Sequence, residues 1–153
     1  MSTKREIVIS KADAVFWMDG NGRWCNADGR FRHKKIIDHF HAAIEKDDKG
    51  YYVRQERGDV VEKVYFRYDE TALFVFEVVI GEAIELVLNT GFRVSLDPER
   101  LCVKDDALFM CHGDEVIKFT DRSMMKIGRF IDEDKGRLYF CRNQKRYLIR
   151  VHP

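Results

Sequence analysis

The sequence predicts an α+β fold of two similar motifs, each pairing one helix with antiparallel strands, together with a central β-meander. The first observation is a degenerate repeat. Residues 30–64 and residues 118–151 each carry a helical apolar stripe, then an acidic Lys-Gly sequence, and then strand-forming residues. The second observation is the stretch between them, where short apolar runs alternate with turn residues, as in antiparallel sheets.

Each predicted helix is recognised by three apolar residues at the i, i+3 and i+7 positions of one helix face. These are Ile37, Phe40 and Ile44 in the first copy and Met124, Ile127 and Ile131 in the second. We expect the first helix to span residues 33–46, with Gly50 and Gly136 beyond the two helix ends as left-handed caps. The middle members, Phe40 and Ile127, are predicted to occupy equivalent core positions. Replacing a fully buried Phe40 with alanine would cost about 3–5 kcal/mol.

Turn residues predict two hairpins ahead of the first helix. An apolar run at 14–18 ends at Asp19-Gly20-Asn21-Gly22, and a second turn follows at 26–29. Such glycine and asparagine turns are the strongest short-range hairpin signal. We therefore expect residues 23–25 to form the returning strand.

The middle of the chain predicts four successive antiparallel strands that form the meander. They lie near residues 64–68, 73–80, 84–88 and 92–96. Further short strands are expected near 101–103, 107–111 and 116–119, before an N-cap of the second helix at Thr120 or Asp121. Pro98 marks the predicted boundary between two subdomains, residues 1–97 and residues 98–153, which we expect to form one compact unit.

Composition favours a single domain-sized protein and selects no class of partner. The chain has 153 residues, with 27 basic against 26 acidic side chains. There is thus no net field to attract nucleic acid or an anionic membrane. No apolar run approaches the ~20 residues that span a bilayer, and the start MSTKREIVIS lacks the apolar core of a secretion signal. We expect a cytoplasmic protein with no nucleic-acid or membrane partner.

No metal or cofactor is predicted. The four cysteines, Cys25, Cys102, Cys111 and Cys141, never form a CxxC pair, and we expect them to be buried, reduced and catalytically silent. Cys102 and Cys111 flank a turn and could face each other across a hairpin. A calcium loop starting at residue 19 is excluded, because Trp24 and Arg30 stand where glycine and glutamate are required.

The chain carries no recognisable catalytic motif. It lacks a nucleophile elbow and a phosphate-binding glycine loop before a helix, and its paired carboxylates lie at turns. Enzymatic activity is left open, and binding without catalysis is favoured. The rival interpretation is a small enzyme whose site combines His39 or His41 with Lys63 and distant carboxylates, although histidines on the polar face of a helix are usually solvated. Lys63 is expected to face solvent or to pair with Glu77 or Glu85.

The candidate binding site combines cationic and aromatic residues without obvious local partners. These residues are Arg23, Trp24, Arg30, His33 and Lys63. Arginine and tryptophan are enriched where interfaces concentrate their binding energy. The alternative is a packed tryptophan flanked by solubilising arginines. The partner is expected to be a small ligand or a protein, and a second copy of the chain is one candidate.

Four short segments are similar to segments of one known family. They are Asp19-Gly20 through Trp24, the helix at 34–44 with Gly50-Tyr51-Tyr52-Val53 after it, Val61-Glu62-Lys63-Val64, and Leu88-Asn89-Thr90-Gly91. Over residues 14–131 the chain resembles the bacterial family known as domain of unknown function 1285. The resemblance implies an α+β fold of two similar motifs and a role in signal transduction or ligand sensing, without an assigned reaction.

The chain also departs from the family's pattern at two places. The family tends to have a proline before the Glu-Lys pair, whereas this chain has Asp59-Val60-Val61. The family also tends to finish on its second helix, so the hairpin at 137–151 is expected to be an addition.

Overall fold

The computed structural model has an α+β fold, as the sequence predicts. It describes residues 4–152; residues 1–3, at the start of the stretch considered for a secretion signal, and residue 153 lie outside the described residues. The chain divides into two compact units, the first ending at Ala72 and the second beginning at Leu73. No helix in the described part of the chain is long and apolar enough to cross a membrane.

The first unit contains a four-stranded sheet, a three-stranded sheet and one helix. Its elements are β1 (Arg5–Ile9), β2 (Phe16–Met18), β3 (Trp24–Asn26), β4 (Gly29–Arg30), α1 (Lys34–Ala42), β5 (Ile44–Asp47), β6 (Gly50–Arg57) and β7 (Val60–Tyr65). The larger sheet has the order β1-β7-β6-β5, with β1 parallel to β7. Strands β2, β3 and β4 form the two hairpins that the turn residues predict.

The second unit contains a seven-stranded sheet and a three-stranded sheet. Its elements are β8 (Phe74–Ile80), β9 (Ile84–Leu88), β10 (Arg93–Ser95), the 3-10 turn Pro98–Arg100, β11 (Leu101–Lys104), β12 (Ala107–His112), β13 (Glu115–Phe119), α2 (Asp121–Ile127), the 3-10 turn Gly128–Phe130, β14 (Ile131–Asp134), β15 (Arg137–Arg142), β16 (Lys145–Leu148) and β17 (Arg150–Val151). The sheet orders are β10-β9-β8-β13-β12-β11-β17 and β14-β15-β16.

The prediction of a four-stranded meander is wrong for its first strand, the one expected near residues 64–68. Strand β7 pairs with β6 and β1, so of the four predicted meander strands only the last three, β8, β9 and β10, form a continuous antiparallel run. Strand β8 also pairs in parallel with β13, which joins strands from both sides of Pro98 in one sheet. The structure therefore divides after Ala72 instead of at Pro98, because pairing between distant strands decides which segments share a core.

Both helices are shorter than predicted. Helix α1 ends at Ala42 and α2 at Ile127, and the third residue of each apolar stripe, Ile44 or Ile131, begins the following strand. Isoleucine is β-branched and suits a strand as well as a helix face. Gly50 and Gly136 accordingly lie at the turns that follow β5 and β14 instead of capping helices. A three-stranded antiparallel meander follows each helix, β5–β6–β7 after α1 and β14–β15–β16 after α2 and the 3-10 turn.

The first unit has an aromatic core. Trp24, with 1% of its surface exposed, contacts the buried rings of Phe16 and Phe66 edge to face, with centroids 5.7 and 4.8 Å away. Phe40 joins this cluster but is only half-buried, whereas Ile127 in the second unit is fully buried. The cost of Phe40→Ala is therefore expected to fall below the figure for a fully buried ring.

None of the four cysteines, all of which the structure describes, forms a disulfide. Cys25 and Cys102 are buried, and Cys111 and Cys141 are half-buried instead of fully buried as expected. Cys102 lies opposite Phe109, and Cys111 lies opposite Val116. The two thiols that flank the hairpin turn therefore do not face each other, because the strand register separates them.

Candidate functional site

An open groove of about 560 Å³ lies in the first unit, formed by the β3–β4 hairpin, the segment after it and the first turns of α1. Its lining residues are Asn26, Asp28, Arg30, Phe31, Arg32, His33, Ile36 and Phe40. The volume falls within the range of ~300–1,000 Å³ that is usual for ligand pockets. We call this feature the arginine groove.

The β3–β4 turn determines where the groove begins. The backbone N–H of Asp28 donates to the side-chain Oδ1 of Asn26 at 2.9 Å, and Gly29 takes a φ of +112°, which favours glycine. The turn brings Arg30 opposite Cys25. The backbone N–H of Phe31 then donates to the carbonyl of Trp24 at 2.9 Å, so the segment leading into α1 stays attached to the hairpin.

The floor of the groove is apolar and continues into the core. The rings of Phe31 and Phe40 meet edge to face at 5.1 Å, and Phe40 contacts the buried Trp24 in the same way at 5.3 Å. Ile36 leaves 46% of its surface exposed beside them. The groove therefore offers an apolar surface in contact with rigid core rings.

The rim of the groove is cationic. Arg30, Arg32 and His33 form no ion pair within 4 Å with any residue that the structure describes, and Asp28 is the one carboxylate among the lining residues. Unpaired guanidinium groups keep their N–H donors available for carboxylates, sulfonates or phosphates. The rim therefore has an excess of positive charge although the chain as a whole is nearly neutral.

The N-terminus of α1 adds hydrogen-bond donors to this rim. His33 is the N-cap residue but makes no side-chain cap hydrogen bond, and the first turn contains no acidic residue. The first backbone N–H groups of a helix have no partner within it, and they carry the positive end of the helix dipole. An anion in the arginine groove would therefore meet both guanidinium and backbone N–H groups.

His41 lies behind the floor of the groove and is 4% exposed. Its Nδ1 accepts a hydrogen bond from the indole Nε1–H of Trp24 at 3.1 Å, which assigns the imidazole proton to Nε2. Burial lowers the pKa of His41 to about 4, against a smaller opposing effect of Asp38. The expectation of solvated histidines on the helix is wrong for His41, because α1 turns this side chain toward the aromatic core.

The structure separates the predicted site residues. Arg30 and His33 line the arginine groove. Trp24 is buried, so the packed-tryptophan alternative describes it and the surface interpretation is wrong for this residue. Arg23 donates from Nε to the Oδ2 of Asp19 at 3.1 Å, an ion pair inside the first hairpin turn.

Lys63 belongs to a different cluster, on the β5–β6–β7 sheet. Its ammonium lies 3.2 Å from Oδ2 of Asp47 and 4.5 Å from the ring centroid of Tyr52. The hydroxyl of Tyr65 donates to the same Asp47 oxygen at 2.5 Å. The Tyr65 hydrogen bond holds the pKa of Asp47 below its ordinary value, and the hydrogen bond to Asp47 raises the pKa of Lys63. The partner of Lys63 is thus Asp47 instead of Glu77 or Glu85, because β5 lies two strands from β7 in the same sheet.

The enzymatic alternative combines a histidine of α1 with Lys63, and the structure gives His41 and Lys63 different neighbours. His41 packs against Trp24, whereas Lys63 contacts Asp47, Tyr52 and Tyr65. No group of three or more histidine, cysteine or acidic side chains among the residues described could hold a metal ion.

Sequence reasoning missed six of the eight residues that line the arginine groove: Asn26, Asp28, Phe31, Arg32, Ile36 and Phe40. The available signal was the sequence Arg30-Phe31-Arg32-His33, which alternates cationic and aromatic side chains directly before a helix. Such alternation places charge and apolar surface side by side. Phe40 could not be found this way, because its apolar stripe predicted a core position.

Two solved structures have a similar fold, and both are described as DUF1285 family proteins. The one from Silicibacter pomeroyi DSS-3 superposes with a TM-score of 0.63 at 11% identity, covering 96% of this chain and 84% of that one. The one from Shewanella baltica OS155 gives 0.52 at 12% identity, covering 75% and 91%. The resemblance to this family is therefore confirmed at the level of the fold. No family model and no curated protein matches the sequence.

Proposed function

We propose that the chain is a non-enzymatic ligand-binding domain and that the arginine groove binds an anionic ligand with an apolar body. The observation that carries the proposal is the juxtaposition of two unpaired arginines, Arg30 and Arg32, with the exposed apolar surface of Ile36 and the half-buried rings of Phe31 and Phe40. Pockets of this size that combine apolar walls with a few convergent polar groups are typical ligand sites.

The chemistry of the rim and the floor of the arginine groove defines the class of ligand. The guanidinium groups and the helix N-terminus favour a carboxylate, sulfonate or phosphate. The aromatic floor favours an aliphatic or aromatic body, because burying apolar surface contributes roughly 25 cal/mol per Å². Asp28 opposes a second negative charge on its side of the groove. The ligand we propose is therefore a monoanionic amphiphile.

The proposal includes a sensory role, which the position of the groove and the resemblance to domain of unknown function 1285 both support. A ligand on Phe40 would press on a ring that contacts Trp24, which in turn is hydrogen-bonded to His41. This chain of contacts could transmit occupancy of the groove into the first unit. We include signal transduction in the proposed function on that basis.

Calorimetric titration with a series of fatty acids tests the proposal. We expect decanoate to bind more tightly than octanoate and hexanoate, by about threefold for each added methylene that is buried. Replacing both groove arginines (Arg30→Gln, Arg32→Gln) should weaken decanoate binding at least about tenfold, because two charge-assisted hydrogen bonds are lost.

The matched control is Arg5→Gln, an exposed arginine of β1 in the same unit that does not line the groove. This variant should bind decanoate like the parent protein. Equal affinity in the double variant, or an affinity independent of chain length, contradicts the proposal. Circular dichroism of each variant separates loss of binding from loss of fold.

A further inference from the structure

A second cavity, of about 200 Å³, lies in the second unit and is independent of the arginine groove. It is formed by β9, the segment after β10, and the β15–β16 hairpin. Its back wall is apolar and rigid, since Ile84 and Phe140 are buried with 4% and 2% of their surface exposed. Leu96 and Pro98 complete that wall. The volume is below the usual range for drug-sized ligands, which limits the occupant to a small molecule.

Arg142 supplies a fixed positive charge at the mouth of this cavity. Its guanidinium donates to the carbonyls of Gly81 and Glu82, the latter at 3.1 Å, and its centre lies 5.5 Å from the ring centroid of Phe130. Two of the five N–H donors of a guanidinium are used in these bonds, so three remain. Because both anchors are backbone carbonyls, the charge stays in place and is not neutralised.

Lys145 brings a second positive charge, and Asn143 and Tyr147 bring neutral polar groups. Lys145 is exposed and forms no ion pair within 4 Å among the described residues. None of the nine lining residues is acidic. A cavity with two cations, no carboxylate and an apolar back wall is complementary to one negative charge on a small apolar body.

We infer that this cavity is a second binding site, for a small monocarboxylate with a compact ring or branched body, held by Arg142 and Lys145 against Ile84 and Phe140. The carboxylate takes the free guanidinium N–H groups and the ammonium, and the body fills the apolar wall. The cavity differs from the arginine groove in size, because its smaller volume admits an aromatic acid but not an extended aliphatic chain.

Benzoate is the probe, and benzamide is its neutral counterpart of the same shape. Titrating the isotope-labelled full chain at pH 7, we expect benzoate to shift the backbone amide resonances of Ile84, Phe140 and Asn143 with a Kd of about 1 mM or tighter. Benzamide should bind at least about fivefold more weakly. Mapping the shifts by residue distinguishes this site from the arginine groove, so the proposal for either site can be refuted independently of the other.

The variant Lys145→Gln should weaken benzoate binding at these residues about fivefold. Lys135→Gln is the matched control, because Lys135 is an exposed lysine of the β14–β15 turn that does not line the cavity. It should leave binding unchanged. Absence of shifts around the cavity, equal binding of benzamide, or equal weakening by both variants would overturn the inference.

Discussion

The hydrogen bond between Trp24 and His41 shows how one buried pair sets a protonation state. The indole N–H can only donate, so it requires a neutral imidazole nitrogen as acceptor. A proton on His41 Nδ1 would remove that acceptor, and two N–H donors would then face each other inside an aromatic core. Burial of His41 lowers its pKa to about 4. Protonation of this residue in acid therefore destabilises the core of the first unit.

His41 predicts a loss of stability in acid. Its folded-state pKa of about 4 lies below the ordinary value of 6.5, so the unfolded chain takes up the proton first. Its contribution is complete above pH 6.5 and is lost as the pH falls toward 4. Between pH 7 and pH 4.5 this loss amounts to about 2–3 kcal/mol.

Urea unfolding of the parent protein and of His41→Gln at both pH values measures this contribution. Glutamine can still accept from the indole N–H but does not titrate, so the variant should lose less stability in acid. His39→Gln, an exposed histidine of the same helix, should behave like the parent. A parallel pH dependence in the parent and His41→Gln would contradict the assignment.

Trp24 also shows what residue-level sequence patterns leave undecided. A tryptophan between turn residues and arginines has the same pattern at a binding surface and in a core. The structure buries it because α1 and Phe66 cover the hairpin. The exposure of Arg30 and His33 was predictable, since both lie within four residues of the start of the helix and have no local charge partner.

At the scale of the element, the turn between β5 and β6 depends on Gly50. This residue has a φ of +116°, and a Cβ there would lie 2.8 Å from the hydroxyl of Tyr68. We expect Gly50→Ala to cost about 2 kcal/mol or more, from backbone strain together with displacement of the Tyr68 ring. Reversible urea unfolding measures the change.

Gly58, in the β6–β7 turn, is the matched control. Its φ is +60°, and a Cβ there would meet nothing within 4 Å. Gly58→Ala should therefore cost only about 1 kcal/mol, the penalty of a left-handed alanine. If the two variants lose the same stability, the close approach to Tyr68 has no energetic consequence.

Elements with a strong local signal were predictable from sequence. The hairpin at Asp19 to Gly22 follows from its turn residues, and β9 follows from the alternation of Ile84, Leu86 and Leu88. The ends of the helices were not predictable, because Ile44 and Ile131 fit both a helical stripe and a strand. The parallel pairs β1–β7 and β8–β13 join distant segments, and no local pattern specifies such partners.

At the scale of the whole molecule, a nearly neutral chain carries local positive charge in each of its two units. The 27 basic and 26 acidic residues nearly cancel in sum, and several surface carboxylates pair with nearby cations, as Asp19 does with Arg23 and Asp38 with Lys34. Arg30 and Arg32 are outside these pairs. The candidate site therefore depends on charge distribution within the fold, which net charge conceals.

The claim that the arginine groove is a ligand site is tested most directly by the indole N–H resonance of Trp24 during a decanoate titration. Trp24 contacts Phe40 on the groove floor, and Trp17→Phe assigns its signal, since the chain has two tryptophans. The account predicts that this resonance and the amides of residues 26–40 shift together and saturably, and that the Arg30→Gln, Arg32→Gln variant loses the shift. The account would be contradicted if decanoate shifted other resonances but left both the Trp24 indole N–H and the amides of residues 26–40 unchanged.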